Sequence, residues 1–164
     1  MADKKNYNIT IYTDGSSRGN PGPGGYGVVL ISGKHRKELS EGYALTTNNR
    51  MELLAVIKGL EALNFDHSKV TVYTDSKYVV DSVEQGWLFQ WEKVRFKKKK
   101  NADLWIQFLD LYRKHEVKFK WVKGHADNKE NEHCDKLAVN ASFNENLLED
   151  KGYIADLGSV SEII

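Results

Sequence analysis

Residues Ile9–Asp14 read Ile-Thr-Ile-Tyr-Thr-Asp, and residues Val70–Asp75 read Val-Thr-Val-Tyr-Thr-Asp. Both runs are rich in β-branched and aromatic residues, and their side chains alternate between two faces as in a strand. We therefore predict two strands that each end in a carboxylate, Asp14 or Asp75. Ligands of an open α/β sheet bind beyond the carboxyl ends of its strands, so this pair predicts a functional site at that edge.

The segments around these runs complete an α/β pattern. The glycine-rich segment 15–25 is predicted as a turn, and Tyr26–Ser32 and Arg36–Leu45 continue the first strand as an antiparallel meander. A last strand is predicted at Val117–Val122. Helical spacing of apolar residues predicts helices over Asn49–Leu63, Ser76–Val83, Asn101–His115 and Asn131–Phe143. The expected fold is a five-stranded mixed sheet flanked by helices, with strands one to three antiparallel and strands four and five parallel to the first.

Length and composition indicate a single domain. The 164 residues, of which 40% are hydrophobic and 29% charged, suffice for one core without disulfides. With no long apolar run, no signal-peptide pattern and only Cys134 as a thiol, we expect a cytoplasmic protein without membrane contact. No heptad pattern is present, so we expect a monomer. We expect the domain to cover residues 1–153 and the tail at 154–164 to be poorly ordered.

Charge is segregated along the chain although the net charge is only +1. From Lys93 to Lys100 there are six basic side chains and no acidic one, whereas the C-terminal part is acidic. A local basic patch attracts polyanions even on a nearly neutral protein. A lysine run is often only a solvated face, but the aromatic residues interleaved with this one favour nucleic-acid binding.

Two further carboxylates are predicted to join Asp14 and Asp75. A helical projection places Glu52 inside the apolar arc of the first helix, and Asp135 lies at the edge of the buried side of the last helix. Acidic side chains in one cleft repel one another unless cations neutralise them. A set of oxygen ligands alone suits Mg²⁺ or Mn²⁺, and two such ions about 3.5–4 Å apart can catalyse displacement at a phosphodiester.

Each carboxylate taken alone has a simpler interpretation. Asp14 and Asp75 are of a type that opens turns and caps helices. Glu52 could complete a capping box begun by Asn49, and Asp135 could be a solvated helix residue. Their joint arrangement favours the metal site.

Several sequence strings resemble those of bacterial type 1 ribonuclease H. They are Thr-Asp-Gly-Ser at 13–16, Gly-Asn-Pro-Gly-Pro-Gly-Gly-Tyr-Gly at 19–27, Thr-Thr-Asn-Asn-Arg-Met-Glu-Leu at 46–53, Tyr-Thr-Asp-Ser at 73–76, Trp-Val-Lys-Gly-His-Ala at 121–126 and Glu-Asn-Glu-His-Cys-Asp-Lys-Leu-Ala at 130–138. The resemblance extends from about Ile9 to Tyr153, in order and with similar spacing. It implies a ribonuclease-H-like fold over the whole domain.

The resemblance also implies an activity and its catalytic residues. The expected reaction is metal-dependent cleavage of the RNA strand of an RNA–DNA hybrid, which leaves a 5′-phosphate and a 3′-hydroxyl. The matching positions make Asp14, Glu52, Asp75 and Asp135 the ligands of two Mg²⁺ ions, with Mn²⁺ as an alternative. His125, in the loop after the last strand, matches the histidine that assists proton transfer or product departure.

Substrate contacts are implied on both strands of the hybrid. Asn20, Asn48 and Asn49 match residues that contact sugars and base edges, and Thr47 and Asn101 match a pocket for a DNA phosphate. Residues 87–100 resemble a basic protrusion, here called the handle, that holds the DNA strand. Its predicted contact residues are Trp87, Trp91, Phe96, Lys97, Lys98, Lys99 and Lys100.

Two other functions are compatible with parts of this pattern. One is another metal nuclease of the same fold, such as an integrase or junction resolvase that cuts DNA. The other is a module that binds hybrids without cleaving them. The three asparagines and the handle argue against the first, and the complete set of four carboxylates with His125 argues against the second.

Overall fold

The computed structural model describes residues 8–123 and 128–163, with side chains described up to residue 158. Its five strands form one sheet in the order β3-β2-β1-β4-β5. The strands are β1 (Asn8–Ser17), β2 (Gly22–Ser32), β3 (His35–Thr46), β4 (Lys69–Thr74) and β5 (Glu116–Trp121). The helices are α1 (Asn48–Glu61), α2 (Lys77–Glu84), α3 (Trp87–Lys93), α4 (Ala102–Tyr112), α5 (Lys129–Ser142) and α6 (Lys151–Ile163).

Strand pairing confirms the predicted mixed sheet. β1 and β2 are antiparallel, as are β2 and β3, whereas β1 and β4 pair in parallel from Asn8↔Lys69 to Tyr12↔Tyr73. β5 then adds to β4 in parallel. The two β-runs of the sequence are therefore neighbours at the centre of the sheet, and their aspartates lie just beyond the last parallel pair.

Helices pack closely against both faces of the sheet. On one face α1 packs so closely that a Cβ atom on Gly59 would lie 2.8 Å from the Ile11 side chain. On the other face α5 crosses β1 to β3, and a Cβ on Gly27 would lie 2.2 Å from the Cys134 carbonyl oxygen. Buried aliphatic side chains of α1 such as Leu53 and Ile57 each contribute roughly 1.5–3 kcal/mol by leaving water.

Several boundaries differ from the sequence prediction for local reasons. β1 continues past Asp14 to Ser17 and β2 already starts at Gly22, so only the middle of the glycine-rich segment turns. Helix α1 begins at Asn48, and its N-cap is Thr47, whose Oγ1 accepts a hydrogen bond from the Arg50 backbone N–H. The capping box begun by Asn49 is therefore wrong. The N-cap of α2 is Ser76.

Two helices were not predicted. Helix α3 lies within the handle, and α6 covers most of the segment 154–164 for which the sequence predicted poor order. The sequence does not reveal α6 because apolar residues recur only weakly after Leu148. Within the described part of the chain, no helix has the length and apolar character needed to cross a membrane.

A buried ionic network attaches α6 to the domain. Arg50 of α1, which is 1% exposed, donates to both carboxylate oxygens of Asp150 at 2.8 and 2.9 Å and to those of Asp103 at 2.7 and 2.9 Å. Thr46 Oγ1 also donates to Asp150, at 2.6 Å. The network joins the end of β3 and helices α1 and α4 to the start of α6.

We expect Asp150→Ala to lower the free energy of unfolding by about 3 kcal/mol, because it leaves the buried Arg50 guanidinium short of a partner. Urea denaturation followed by circular dichroism measures this change. The control is Asp110→Ala, whose side chain is 75% exposed and pairs with Lys114 at 3.6 Å. The control should change stability by less than about 0.5 kcal/mol. Equal effects of the two substitutions would contradict a stabilising role for the network.

Candidate active site

Three carboxylates converge where β1, β4 and α1 meet. Oxygen atoms of Asp14, Glu52 and Asp75 all lie within 4.8 Å of one another. Asp14 and Glu52 are buried, and Asp75 is half-buried. Their spacing and chemistry match the ligand set of a divalent cation such as Mg²⁺, which prefers carboxylate oxygens.

Gly15 holds two of these carboxylates in place. Its backbone N–H donates to Asp14 Oδ1 at 2.9 Å and also to Glu52 Oε1. A Cβ atom at Gly15 would lie 2.3 Å from the Glu52 backbone nitrogen, so only glycine lets α1 approach β1 this closely. The close approach directs Glu52 from the first turns of α1 into the site.

Asp135 faces the same cleft from α5. It helps to line a cavity of about 420 Å³ together with the three clustered carboxylates, although it is not part of the tight group. Asn48 and Asn49 line this cavity too. The structure thus brings all four predicted carboxylates and two predicted substrate-binding residues to one cavity.

Burial and mutual repulsion disfavour the charged forms of this cluster. The pKa of Asp14 is raised to about 7, mainly by burial and also by the negative charges of Asp75 and Asp135, while hydrogen bonds from Glu52 and Gly15 oppose the increase. Burial likewise raises the pKa of Glu52, with Asp14 as the next cause. A divalent cation would remove both the repulsion and the need for protons.

The other predicted polar contacts surround the start of α1. Asn20 Oδ1 accepts a hydrogen bond from the Asn48 backbone N–H at 3.0 Å, which ties the turn after β1 to the helix. Asn101 is buried, donates through Nδ2 to the Tyr78 hydroxyl at 3.0 Å, and accepts from Arg50 at 3.3 Å. These amides are therefore fixed in position before any ligand arrives.

The handle presents lysines outward and packs most of its aromatic residues inward. Phe96 is only 9% exposed and joins the core, and the Trp91 ring lies 6.0 Å from that of Trp105. Trp87 is 48% exposed. Lys97, Lys98, Lys99 and Lys100 are all exposed. The exposed positions of Trp87 and the lysines suit their predicted contacts with substrate. Phe96 instead packs in the core under the handle. The substrate contacts of all these residues stay predictions.

His125 lies outside the described residues, and its role stays a prediction.

The structure adds a residue that the sequence analysis did not include among the site residues. Lys77 lines the active-site cavity, and its Nζ lies 4.7 Å from the ring centroid of Trp121. The Trp121 indole donates to the Asp75 carbonyl oxygen at 3.1 Å. The only sequence signal for Lys77 is that it follows Asp75 by two positions.

The raised pKa of Asp14 predicts a pH-dependent effect of Asp14→Asn on stability in EDTA. In wild type the folded carboxyl holds a proton up to about pH 7, whereas the unfolded one releases it near its ordinary value of 3.8. Folded wild type therefore binds more protons in this window and loses stability as pH rises through it. We expect the variant to exceed wild type in stability by about 1–2 kcal/mol at pH 8, and by less at pH 5.

Urea unfolding at both pH values measures this difference, with the exposed Asp110→Asn as the matched control. The control should show the same small difference at pH 5 and pH 8. A pH-independent difference for Asp14→Asn would contradict the assigned electrostatics.

Comparisons with known proteins agree with the geometry of the site. The family model described as RNase H matches residues 6–143. A protein named Ribonuclease H from Trichodesmium erythraeum (strain IMS101) is 57% identical over 155 residues, which cover 92% of this chain and 98% of the relative.

Solved structures are similar as well. The chain matches the crystal structure of LC9-RNase H1, described as a type 1 RNase H with the type 2 active-site motif, with a TM-score of 0.77 and 32% identity over 86% of this chain and 74% of that one. It also matches LC11-RNase H1 in complex with RNA/DNA hybrid, with a TM-score of 0.63 and 28% identity over 81% of this chain and 95% of that one. Sequence, sheet topology and a carboxylate cluster at the predicted positions all support one assignment, a ribonuclease H enzyme. The chain therefore belongs to the bacterial type 1 ribonuclease H family.

Proposed function

We propose that this ribonuclease H hydrolyses the RNA strand of RNA–DNA hybrids by a divalent-metal-dependent, in-line displacement that leaves a 5′-phosphate and a 3′-hydroxyl. The observation that carries the proposal is the cluster of Asp14, Glu52 and Asp75, whose oxygens lie within 4.8 Å of one another at the floor of an open cavity. A relative solved with an RNA/DNA hybrid supports the substrate class.

Asp14, Glu52, Asp75 and Asp135 would hold two divalent ions, for which Mg²⁺ is the best match to an oxygen-only ligand set and Mn²⁺ an alternative. When bound, such a pair supplies an activated water and neutralises charge at the phosphoryl oxygens. Gly15 keeps Asp14 and Glu52 aligned through its shared N–H. His125 would carry a proton at the cleft during turnover or product departure.

Strand discrimination would come from polar and cationic groups around the start of α1. Asn20, Asn48 and Asn49 offer donors and acceptors that suit the 2′-hydroxyl and base edges in the wide minor groove of an A-like duplex. Thr47 and Asn101 line a second cavity with Lys98, Lys99 and Lys100. That cationic side suits the DNA strand, which the handle would hold through its phosphates.

A single domain over residues 1–153, a monomeric state and a cytoplasmic location complete the proposal. They rest on the sequence expectations given above. The activity itself is the part that a direct assay decides.

The first experiment is cleavage of an end-labelled RNA–DNA hybrid in Mg²⁺ or EDTA by wild type and Asp14→Asn. We expect cuts in the RNA strand only, and EDTA should abolish them. The variant should cleave more than about 100-fold more slowly, because losing a metal ligand lowers activity more than losing a residue that only supports a ligand. RNA–RNA and DNA–DNA duplexes are the substrate controls, and the exposed Asp110→Asn is the protein control. Cleavage of DNA would assign a different nuclease, and tight binding without cleavage would assign a binding module.

Replacing Lys98 or Lys100 with alanine should weaken hybrid binding mainly at low salt. Each lost phosphate contact should make the negative slope of log affinity against log salt concentration less steep by about 0.7–0.9. Fluorescence anisotropy in EDTA from 50 to 300 mM salt measures the slope for a labelled hybrid. Lys34→Ala, an exposed substitution in the turn between β2 and β3, should leave the slope unchanged. A slope equal to that of wild type in both handle variants would argue against the handle as the DNA contact.

A further inference from the structure

Helix α6 lies outside the region that the family model matches, residues 6–143, yet it forms part of a cavity next to the active site. The cavity has a volume of about 630 Å³. Lys98–Lys100 line it from the handle, and Tyr153, Asp156 and Leu157 line it from α6. Asn49 borders this cavity as well as the active-site cavity, so the two are adjacent.

The start of α6 is rigidly positioned. Leu148 exchanges backbone hydrogen bonds with β3, donating to the Gly42 carbonyl at 2.9 Å and accepting from the Ala44 N–H at 2.8 Å. Asp150 follows in the Arg50 network, and its Oδ1 accepts from the Tyr153 backbone N–H at 3.3 Å. Tyr153 therefore stands one turn beyond a buried anchor, with its side chain half-buried at the cavity wall.

The chemistry of the cavity suits the backbone of a nucleic-acid strand. Lysines on the handle side attract phosphates, and an aromatic ring with Leu157 on the α6 side offers an apolar surface to a sugar. Thr47 and Asn101 supply hydroxyl and amide groups at the same cavity. A site with only cations would bind phosphates anywhere along the strand, whereas the apolar wall adds a defined place for one sugar.

We propose that α6 is the second wall of the groove for the DNA strand and that Tyr153 is a positioning residue that packs against a deoxyribose there. The inference rests on the proposed function, because it takes the hybrid as the substrate. The ring acts by placing the duplex, not by touching the reacting phosphate, so its loss raises KM and leaves kcat unchanged.

Asp156 has the opposite effect on the same wall. Asp156 lines the cavity proposed to receive the phosphates, and its negative charge therefore weakens the attraction that Lys98–Lys100 provide. Neutralising it strengthens binding at low salt, and screening removes the gain at high salt. Two neighbouring residues of one helix thus shift hybrid affinity in opposite directions.

The test compares Tyr153→Ala, Tyr153→Phe and Asp156→Asn with wild type. The controls are Ile154→Ala and Glu145→Gln, two C-terminal substitutions at residues that do not line the cavity. Equilibrium binding of a labelled RNA–DNA hybrid is measured in EDTA at 50 and 300 mM salt, and KM and kcat are measured in Mg²⁺. Urea denaturation of every variant reports whether it folds.

We expect Tyr153→Ala to raise both the Kd and KM about fivefold with kcat unchanged, and Tyr153→Phe to behave as wild type. Asp156→Asn should lower the Kd about twofold at 50 mM salt and leave it unchanged at 300 mM. If Tyr153→Ala is unfolded, Asp156→Asn alone decides through the sign and salt dependence of its effect.

Binding by Tyr153→Ala and Asp156→Asn equal to that of the controls would overturn the inference, while hybrid cleavage by wild type would leave the proposed function intact. Weaker binding by Asp156→Asn would also overturn it. If wild type neither binds nor cleaves the hybrid, the proposed function fails and the inference fails with it.

Discussion

Mutual repulsion among the carboxylates of Asp14, Glu52 and Asp75 is the constraint that the rest of the structure accommodates. Their oxygens lie within 4.8 Å of one another, and burial weakens the screening that water would provide. The Gly15 N–H, shared by two of them, offsets only part of this cost. The cluster therefore favours either protons or cations, and a bound divalent ion would relieve the repulsion while releasing the protons.

Helix α1 resists this repulsion because it is fixed near its start from two directions. Glu52 points into the acidic cavity, and Arg50, two residues earlier, points into the network with Asp103 and Asp150. On the sheet side, the absence of a Cβ at Gly15 allows the helix backbone to lie in direct contact with β1. The ionic network and the close packing therefore keep the carboxylates clustered despite their repulsion, at a cost to stability that the buried core of the domain offsets.

Sequence patterns predicted the parts of the molecule that depend on periodicity. Strand alternation located Asp14 and Asp75, and a helical projection placed Glu52 on the inner face of α1, so the centre of the site could be predicted. Features set by tertiary contacts could not. The burial of Phe96 depends on how the handle folds back on the core, and the start of α6 is held by Asp150 in the Arg50 network, a contact that periodicity does not reveal. Thr47 caps α1 because the helix starts one residue earlier than apolar spacing indicates.

The two adjacent cavities have opposite charge, which separates substrate capture from chemistry under the proposed function. The cavity lined by Lys98–Lys100 attracts phosphates without any cofactor. The affinity that it gains by counterion release falls as the salt concentration rises. The cavity lined by Asp14, Glu52 and Asp75 repels phosphates until cations occupy it. Because Asn49 borders both cavities, a duplex held on the cationic side would place its other strand at the acidic side. Cleavage would then depend on metal much more than binding does. The start of α1 would separate the cavity that binds one strand from the cavity that cleaves the other.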